Sequence, residues 1–143
     1  MRGYFEIGIF HGKTETNMGT LWRSAYQLGA AGIFIIGKRF RKQCSDTLKS
    51  WRHIPFREYA DFEHFLSCRP VNCTLIGIEM GGQLLSGFTH PDQAIYLLGA
   101  EDHGLPKAVA DKCNCLVSLE SIGANSYNVA VAGSIVMYHR QFA

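Results

Sequence analysis

Residues 117–138 read VSLESIGANSYNVAVAGSIVMY, and they set the frame for the rest of the chain. A short apolar strand, Cys115 to Leu119, runs into a loop of small and polar residues, Ile122-Gly123-Ala124-Asn125-Ser126, and then into a helix rich in Val, Ala and Ile from Asn128 to about Phe142. A strand feeding a helix through small residues leaves backbone amides open beside an electropositive helix start, which is a ligand-binding layout. Ser126 and Asn128 flank Tyr127 where the helix begins. As isolated residues they read equally as helix caps.

Upstream, strands and helices alternate. Tyr4 to Phe10 places Phe5, Ile7 and Ile9 on one face of a first strand. Asn17 is the expected N-cap of a helix Met18 to Leu28, which Gly29 stops, and Ile33 to Ile36 follows as a second strand. Short connections around continuous apolar strands predict a parallel sheet buried on both faces. His53 to Phe56 reads as a short strand, and Asp61 caps a brief helix through Ser67. Cys73 to Ile78 and Ala94 to Leu98 are further strands. Pro106 opens a helix expected to run to Lys112. With no linker, repeat or low-complexity segment, residues 1–143 read as a single α/β domain.

Composition narrows the class. Nearly half of the 143 residues are apolar and 18% are charged, a folded rather than a disordered balance. No apolar run approaches the length needed to cross a bilayer, and the first residues lack a secretory pattern, so a cytoplasmic protein without a membrane partner is expected. Five cysteines, an odd number without a C-x-x-C, point to reduced thiols and to no metal site. The net charge of +2 is unevenly held: residues 1–57 carry +7 and the remainder −5. The stretch Lys38 to Arg57, with Phe40 and Trp51 among its cations, is either a solvated surface or a contact for a polyanion.

Three polar clusters fall just after strands or beside the following helices: Asn17 with Arg23, Glu101 within GAEDHGLP, and Ser126 with Asn128. Ligands of open parallel sheets collect at the carboxyl ends of strands, so the three together suggest one site. Taken singly, each has an ordinary explanation in a cap, an ion pair or a turn. Dinucleotide, P-loop and nucleophile-elbow signatures are missing from the sequence.

At these clusters the chain resembles the SpoU (TrmH-type) branch of the SPOUT RNA methyltransferases. Asn17-Met18-Gly19-Thr20-Leu21-Trp22-Arg23-Ser24-Ala25 is similar to the family's N-x-G-x-x-x-R-x-A. Leu97 to Pro106 is similar to L-x-G-x-E-x-x-G-L-P, and Ser126-Tyr127-Asn128-Val129 to S-x-N-V. All three occur in order across nearly the whole chain. One departure stands out: Leu119-Glu120-Ser121 replaces the family's frequent Ile-Pro-Met.

The resemblance implies a parallel α/β sheet flanked by helices, with a deep trefoil knot over roughly residues 75–143. It implies an S-adenosyl-L-methionine-dependent 2′-O-ribose methyltransferase, leaving S-adenosyl-L-homocysteine as product and acting on tRNA ahead of rRNA. A homodimer with a shared site is expected. A knotted RNA-binding protein without catalysis is the alternative. The implied catalytic residues are Arg23, Asn17, Glu101, Ser126 and Asn128, with Arg23 nearest the ribose hydroxyl as a base or as an electrostatic and positioning group. The implied cofactor residues are Ile78, Glu79, Leu98, Gly99, Gly104, Leu119, Ser126, Asn128 and Val129. Lys13, Arg23, Lys38, Arg39, Arg41 and Lys42 are the expected RNA-facing cations. No appended RNA-recognition segment is expected.

Overall fold

The strands that look most apolar in the sequence occupy the middle of one sheet. The computed structural model describes residues 3–40 and 53–143. Six strands stand in it: β1 (Tyr4–Phe10), β2 (Gly32–Ile36), β3 (Phe56–Tyr59), β4 (Thr74–Leu84), β5 (Gln93–Leu98) and β6 (Cys115–Ser118). They form a single sheet in the order β3-β2-β1-β5-β4-β6, with every pairing parallel. All the strand carboxyl ends therefore lie along one edge.

Among the described residues the α-helices are α1 (Glu15–Gln27), α2 (Phe62–Cys68), α3 (Lys107–Ala110) and α4 (Val129–Phe142). One apolar layer joins Ile7, Ile9, Ile33, Ile35, Tyr96 and Leu98 to Leu21 and Ala25 of α1 and to Val136 and Met137 of α4. The opposite layer joins Phe34, Ile36, Leu75, Ile95 and Leu97 to Phe65 of α2 and Val109 of α3. Burial on both faces is why β1, β2 and β5 read as continuous apolar runs. Helix α4 returns across the sheet to lie on α1, where Ser134 Oγ donates to Ser24 Oγ at 2.7 Å. The path β4–β5–β6–α4 is the region in which the resemblance places the trefoil.

Several boundaries differ from the sequence reading, each for a local reason. Helix α1 begins two residues before Asn17, because Thr14 is its cap: Thr14 Oγ1 accepts the Asn17 backbone N–H at 3.2 Å. Asn17 thus lies in the first turn, and its side chain is free for other partners. At the far end Gly29 adopts φ +85°, and the Ala30 N–H bonds back to the Ala25 carbonyl at 3.0 Å, a Schellman stop.

Strand β3 runs over Phe56–Tyr59 rather than His53–Phe56. Pro55 has no N–H to give the ladder, and its carbonyl instead accepts from Ile33 at 3.0 Å as the strand begins. Strand β4 does not stop at Ile78. It bends through Gly81 at φ +87° and pairs again with β6 at Gln83 and Leu84. Helix α3 is a single turn ending at Ala110 rather than Lys112, with Pro106 before it. Arg41 and Lys42, like most of the basic stretch after Phe40, lie outside the described residues.

Candidate active site

The carboxyl edge of the sheet opens into a cleft of about 710 Å3. Its walls are the ends of β4 (Ile78 to Gly81), β5 (Leu98 to Gly104) and β6 (Ser118 to Tyr127), closed below by Val129 and Ala132 of α4. Ile78, Leu98, Leu119, Val129 and Ala132 supply apolar surface, while the loop 120–127 is exposed. Gly99 is required by close approach: a Cβ there would overlap the Gly104 backbone. That approach closes the turn 100–104, whose ends pair through the Gly104 N–H and the Ala100 carbonyl at 2.9 Å.

Of the residues nominated for a cofactor, Ile78, Glu79, Leu98, Gly99, Gly104, Leu119, Ser126 and Val129 all line this cleft. Asn128 stands beside it. Its Oδ1 accepts the Ala130 and Val131 N–H groups at 2.9 and 3.2 Å, capping α4, and its Nδ2 donates to Asn17 Oδ1 at 3.0 Å. Capping and a site contact thus belong to the two ends of one amide, so the alternatives left open by the sequence are not exclusive.

Asn17 passes the connection on. Its Nδ2 donates to Glu101 Oε1 at 2.8 Å, and Glu101 Oε2 accepts the Lys13 N–H at 3.2 Å. Three clusters separated by up to 111 residues are thereby one hydrogen-bonded row, Asn128 to Asn17 to Glu101. An amide can bridge in this way because it donates at one atom and accepts at the other. Arg23 is not part of the row. It is exposed on α1 and does not line the cleft, and among the described residues no partner is seen on its guanidinium.

Glu79 acts locally. Its Oε2 accepts the Leu105 N–H at 2.7 Å and its Oε1 the Met80 N–H at 2.8 Å, so its carboxylate ties β4 to the turn after β5. Glu120, where the related motif often has proline, reaches the 3-10 turn Leu85–Gly87. Its Oε2 accepts the Ser86 N–H at 3.1 Å, and hydrogen bonding led by the Ser86 side chain draws the carboxyl below its usual range. The Tyr127 hydroxyl donates to the Glu120 carbonyl at 2.6 Å, so this one residue anchors both ends of the exposed loop.

Of the nominated cations among the described residues, Lys13, Lys38 and Arg39 are paired. Lys38 meets Glu58 at 2.9 Å. Arg39 donates from Nη2 and Nη1 to the two oxygens of Asp102 at 2.6 and 3.1 Å. This fork holds the Asp102 carboxyl well below the usual range. Lys13 Nζ lies 3.9 Å from the same carboxylate. Asp102 is not among the residues nominated from the sequence, and Glu120 stands out there only as a departure from the family's motif. Their partners are 63 and 34 residues away, and no spacing rule signals such contacts.

Comparison with known proteins bears on the family and the fold. The model of the SpoU rRNA Methylase family matches residues 5–138. An uncharacterized tRNA/rRNA methyltransferase of Archaeoglobus fulgidus is 25% identical over 142 residues, covering 95% of this chain and 63% of that protein. One of the same description from Mycolicibacterium paratuberculosis is 28% identical over 131 residues, covering 85% and 41%. The chain thus spans less than two thirds of the length of these curated relatives. Among solved structures, an AdoMet-bound rRNA methyltransferase from Sinorhizobium meliloti superposes with a TM-score of 0.86 at 23% identity, covering 98% of this chain and 56% of that one. A structure described as bearing on 2-OH methylation of C/U34 on tRNA superposes with a TM-score of 0.81 at 21% identity, covering 96% and 94%. At such identities the structural likeness establishes the SPOUT fold.

Proposed function

Because this chain belongs to the SpoU rRNA methylase family, we propose that it transfers a methyl group from S-adenosyl-L-methionine to a ribose 2′-hydroxyl of RNA. The observation that carries the reading is the hydrogen-bonded row Asn128–Asn17–Glu101 beside a cleft at the carboxyl edge. The cleft volume falls within the ~300–1,000 Å3 common to small-molecule sites. Its apolar walls at Ile78, Leu98, Leu119 and Val129 suit a purine, and Gly99 lets the turn 100–104 close against the end of β5. Those residues, with Gly104 and Ser126, are assigned to holding the cofactor. Glu79 is assigned to fixing the turn that touches it.

When bound, the cofactor supplies an electrophilic methyl on a sulfonium. The remaining work is alignment and charge stabilisation of a poor nucleophile. In the reaction the methyl carbon leaves sulfur and bonds to the ribose oxygen, and the hydroxyl proton is lost to solvent. Arg23 is assigned to the oxyanion that develops and to the neighbouring phosphate. A guanidinium offers only donors and no acceptor atom, which suits electrostatics better than proton abstraction.

Arg23 is exposed on α1 and does not line the cleft of its own chain, which supports a site completed by a second copy. Exposed Val131, Tyr138 and Phe142 on α4 offer apolar surface for that pairing. As substrate, tRNA is placed ahead of rRNA because a tRNA-related structure matches over nearly its whole length. Among the described residues no helix is long and apolar enough to cross a membrane, and a cytoplasmic location is proposed.

The test is methyl transfer from labelled S-adenosyl-L-methionine to a cellular RNA pool, with ribose methylation read at nucleotide resolution. Incorporation at a 2′-oxygen that disappears with Arg23→Ala is expected. Incorporation on a base, or full activity of Arg23→Ala, would overturn the reaction as assigned.

A further inference from the structure

Arg39 carries a phosphate-shaped partner from its own chain. Its Nε donates to the His11 carbonyl at 2.9 Å, and its backbone N–H to the Gly12 carbonyl at 2.9 Å. The guanidinium is thereby held by the loop after β1, and its two terminal nitrogens point together at Asp102. A planar fork of this kind fits a carboxylate or a phosphate equally well. Asp102 belongs to the turn 100–104 and lines the cleft. The neighbouring carboxylate, Glu101, is held by Asn17 and the Lys13 N–H, whereas Asp102 meets the cations Arg39 and, at 3.9 Å, Lys13, with the His103 ring 3.4 Å away.

We propose that Arg39 is a phosphate subsite whose fork Asp102 occupies in the free protein, and that an RNA backbone phosphate displaces Asp102 when RNA binds. The proposal rests on the RNA reading above and adds a coupling to it. Both side chains are about a third exposed, 33% for Arg39 and 30% for Asp102. A pair so open to water is weak and easily exchanged. A phosphate brings the same geometry, and RNA adds further contacts that Asp102 cannot make. Displacement frees the tip of the turn that borders the cleft while Glu101 stays anchored. Phosphate at Arg39 is thus reported to the cleft through one residue, Asp102, and the tip of the turn becomes free to settle on a bound ligand.

Asp102→Asn removes the competitor's charge and keeps its shape. In fluorescence anisotropy with unfractionated tRNA, it is expected to bind about two- to fivefold tighter than the unaltered protein, the range that loss of an exposed ion pair allows. The gain should vanish when Arg39→Ala is present as well. Asp111→Asn opens another exposed pair, Lys107 to Asp111 at 3.0 Å, with the same change in net charge, and should leave binding unchanged. Equal or weaker binding by Asp102→Asn, or a gain that survives Arg39→Ala or is matched by Asp111→Asn, would overturn the proposal. If the unaltered protein binds no tRNA at any salt, the RNA reading fails instead. The subsite is then judged by tripolyphosphate, which should raise the melting temperature of Asp102→Asn more than that of Asp102→Asn combined with Arg39→Ala. No difference between those two would sink the subsite too.

Discussion

Asn17 and Asn128 lie 111 residues apart in the chain, and their side-chain amides meet at 3.0 Å with Asn128 donating. Because Asn17 also donates to Glu101 at 2.8 Å, it is the only member of the row bonded to both of the others. Asn17→Ala leaves the Asn128 donor and one Glu101 oxygen without their protein partner. A loss of about 1–2 kcal/mol in urea unfolding is expected, the scale of one or two partly exposed hydrogen bonds. Methyl transfer should fall further, by about tenfold or more, since misalignment acts on the reaction beyond its effect on folding. Asn17→Asp sets a second carboxylate against Glu101 and should be worse than alanine at neutral pH. Part of the loss should return in mild acid, where the two oxygens can share a proton. Wild-type rates in both variants would remove Asn17 from the site.

Glu79 holds two backbone N–H groups with one carboxylate, at Met80 and at the buried Leu105. Glu79→Gln keeps the shape but turns an amide donor toward one of those N–H groups. A destabilisation of about 1–3 kcal/mol is expected from the unsatisfied pair. Weaker binding of S-adenosyl-L-homocysteine in calorimetry should accompany it, because the turn at Gly104 forms a wall of the cleft. An unchanged melting curve together with unchanged affinity would refute the positioning role.

The sequence revealed what rests on local pattern and hid what rests on long-range geometry. β1 and β5 were readable because both of their faces are buried and their apolar runs are unbroken. The edge strand β3 was misplaced because it has four residues, with Arg57 and Glu58 exposed in the middle. Gly81-Gly82 imitates a turn, yet β4 bends there and continues. Asn17 reads as a cap because its residue type is a good one, but Thr14 takes that position three residues earlier. The basic first half looked like free positive charge. Arg39 and Lys38 instead pair with Asp102 and Glu58, both of which lie in the acidic part of the chain.

Arg23 supplies a decisive test of the proposed dimer and its shared site, because Arg23 is exposed on α1 and does not line the cleft of its own chain. Arg23→Ala and a cleft variant, Gly99→Ala, should each be inactive as homodimers, with circular dichroism confirming that both fold. After subunit exchange at equal amounts, half the dimers are mixed, and each mixed dimer has one intact site if Arg23 acts across the interface. Recovery of about a quarter of the unaltered activity is expected. If Arg23 serves its own cleft, mixing restores nothing.

His90 gives the fold a pH dependence separate from the chemistry. Its Nδ1 lies 2.6 Å from the Tyr96 hydroxyl and its Nε2 2.8 Å from His139 Nδ1. The Phe88 ring packs edge-on against it, and Arg140 donates to the same Tyr96 hydroxyl at 3.0 Å. Burial, helped by the charges of His139 and Arg140, pushes His90 down to about 4. The unfolded chain takes up this proton near 6.5 and the folded chain does not until about 4. Stability contributed by neutral His90 is therefore complete above about 6.5, declines as pH falls toward 4, and changes no further below it. Screening by solvent holds the total under about 3 kcal/mol. Urea unfolding across that range should show the decline, and His90→Gln should flatten it while lowering stability at pH 7. A decline of equal size in His90→Gln would assign the effect to other groups.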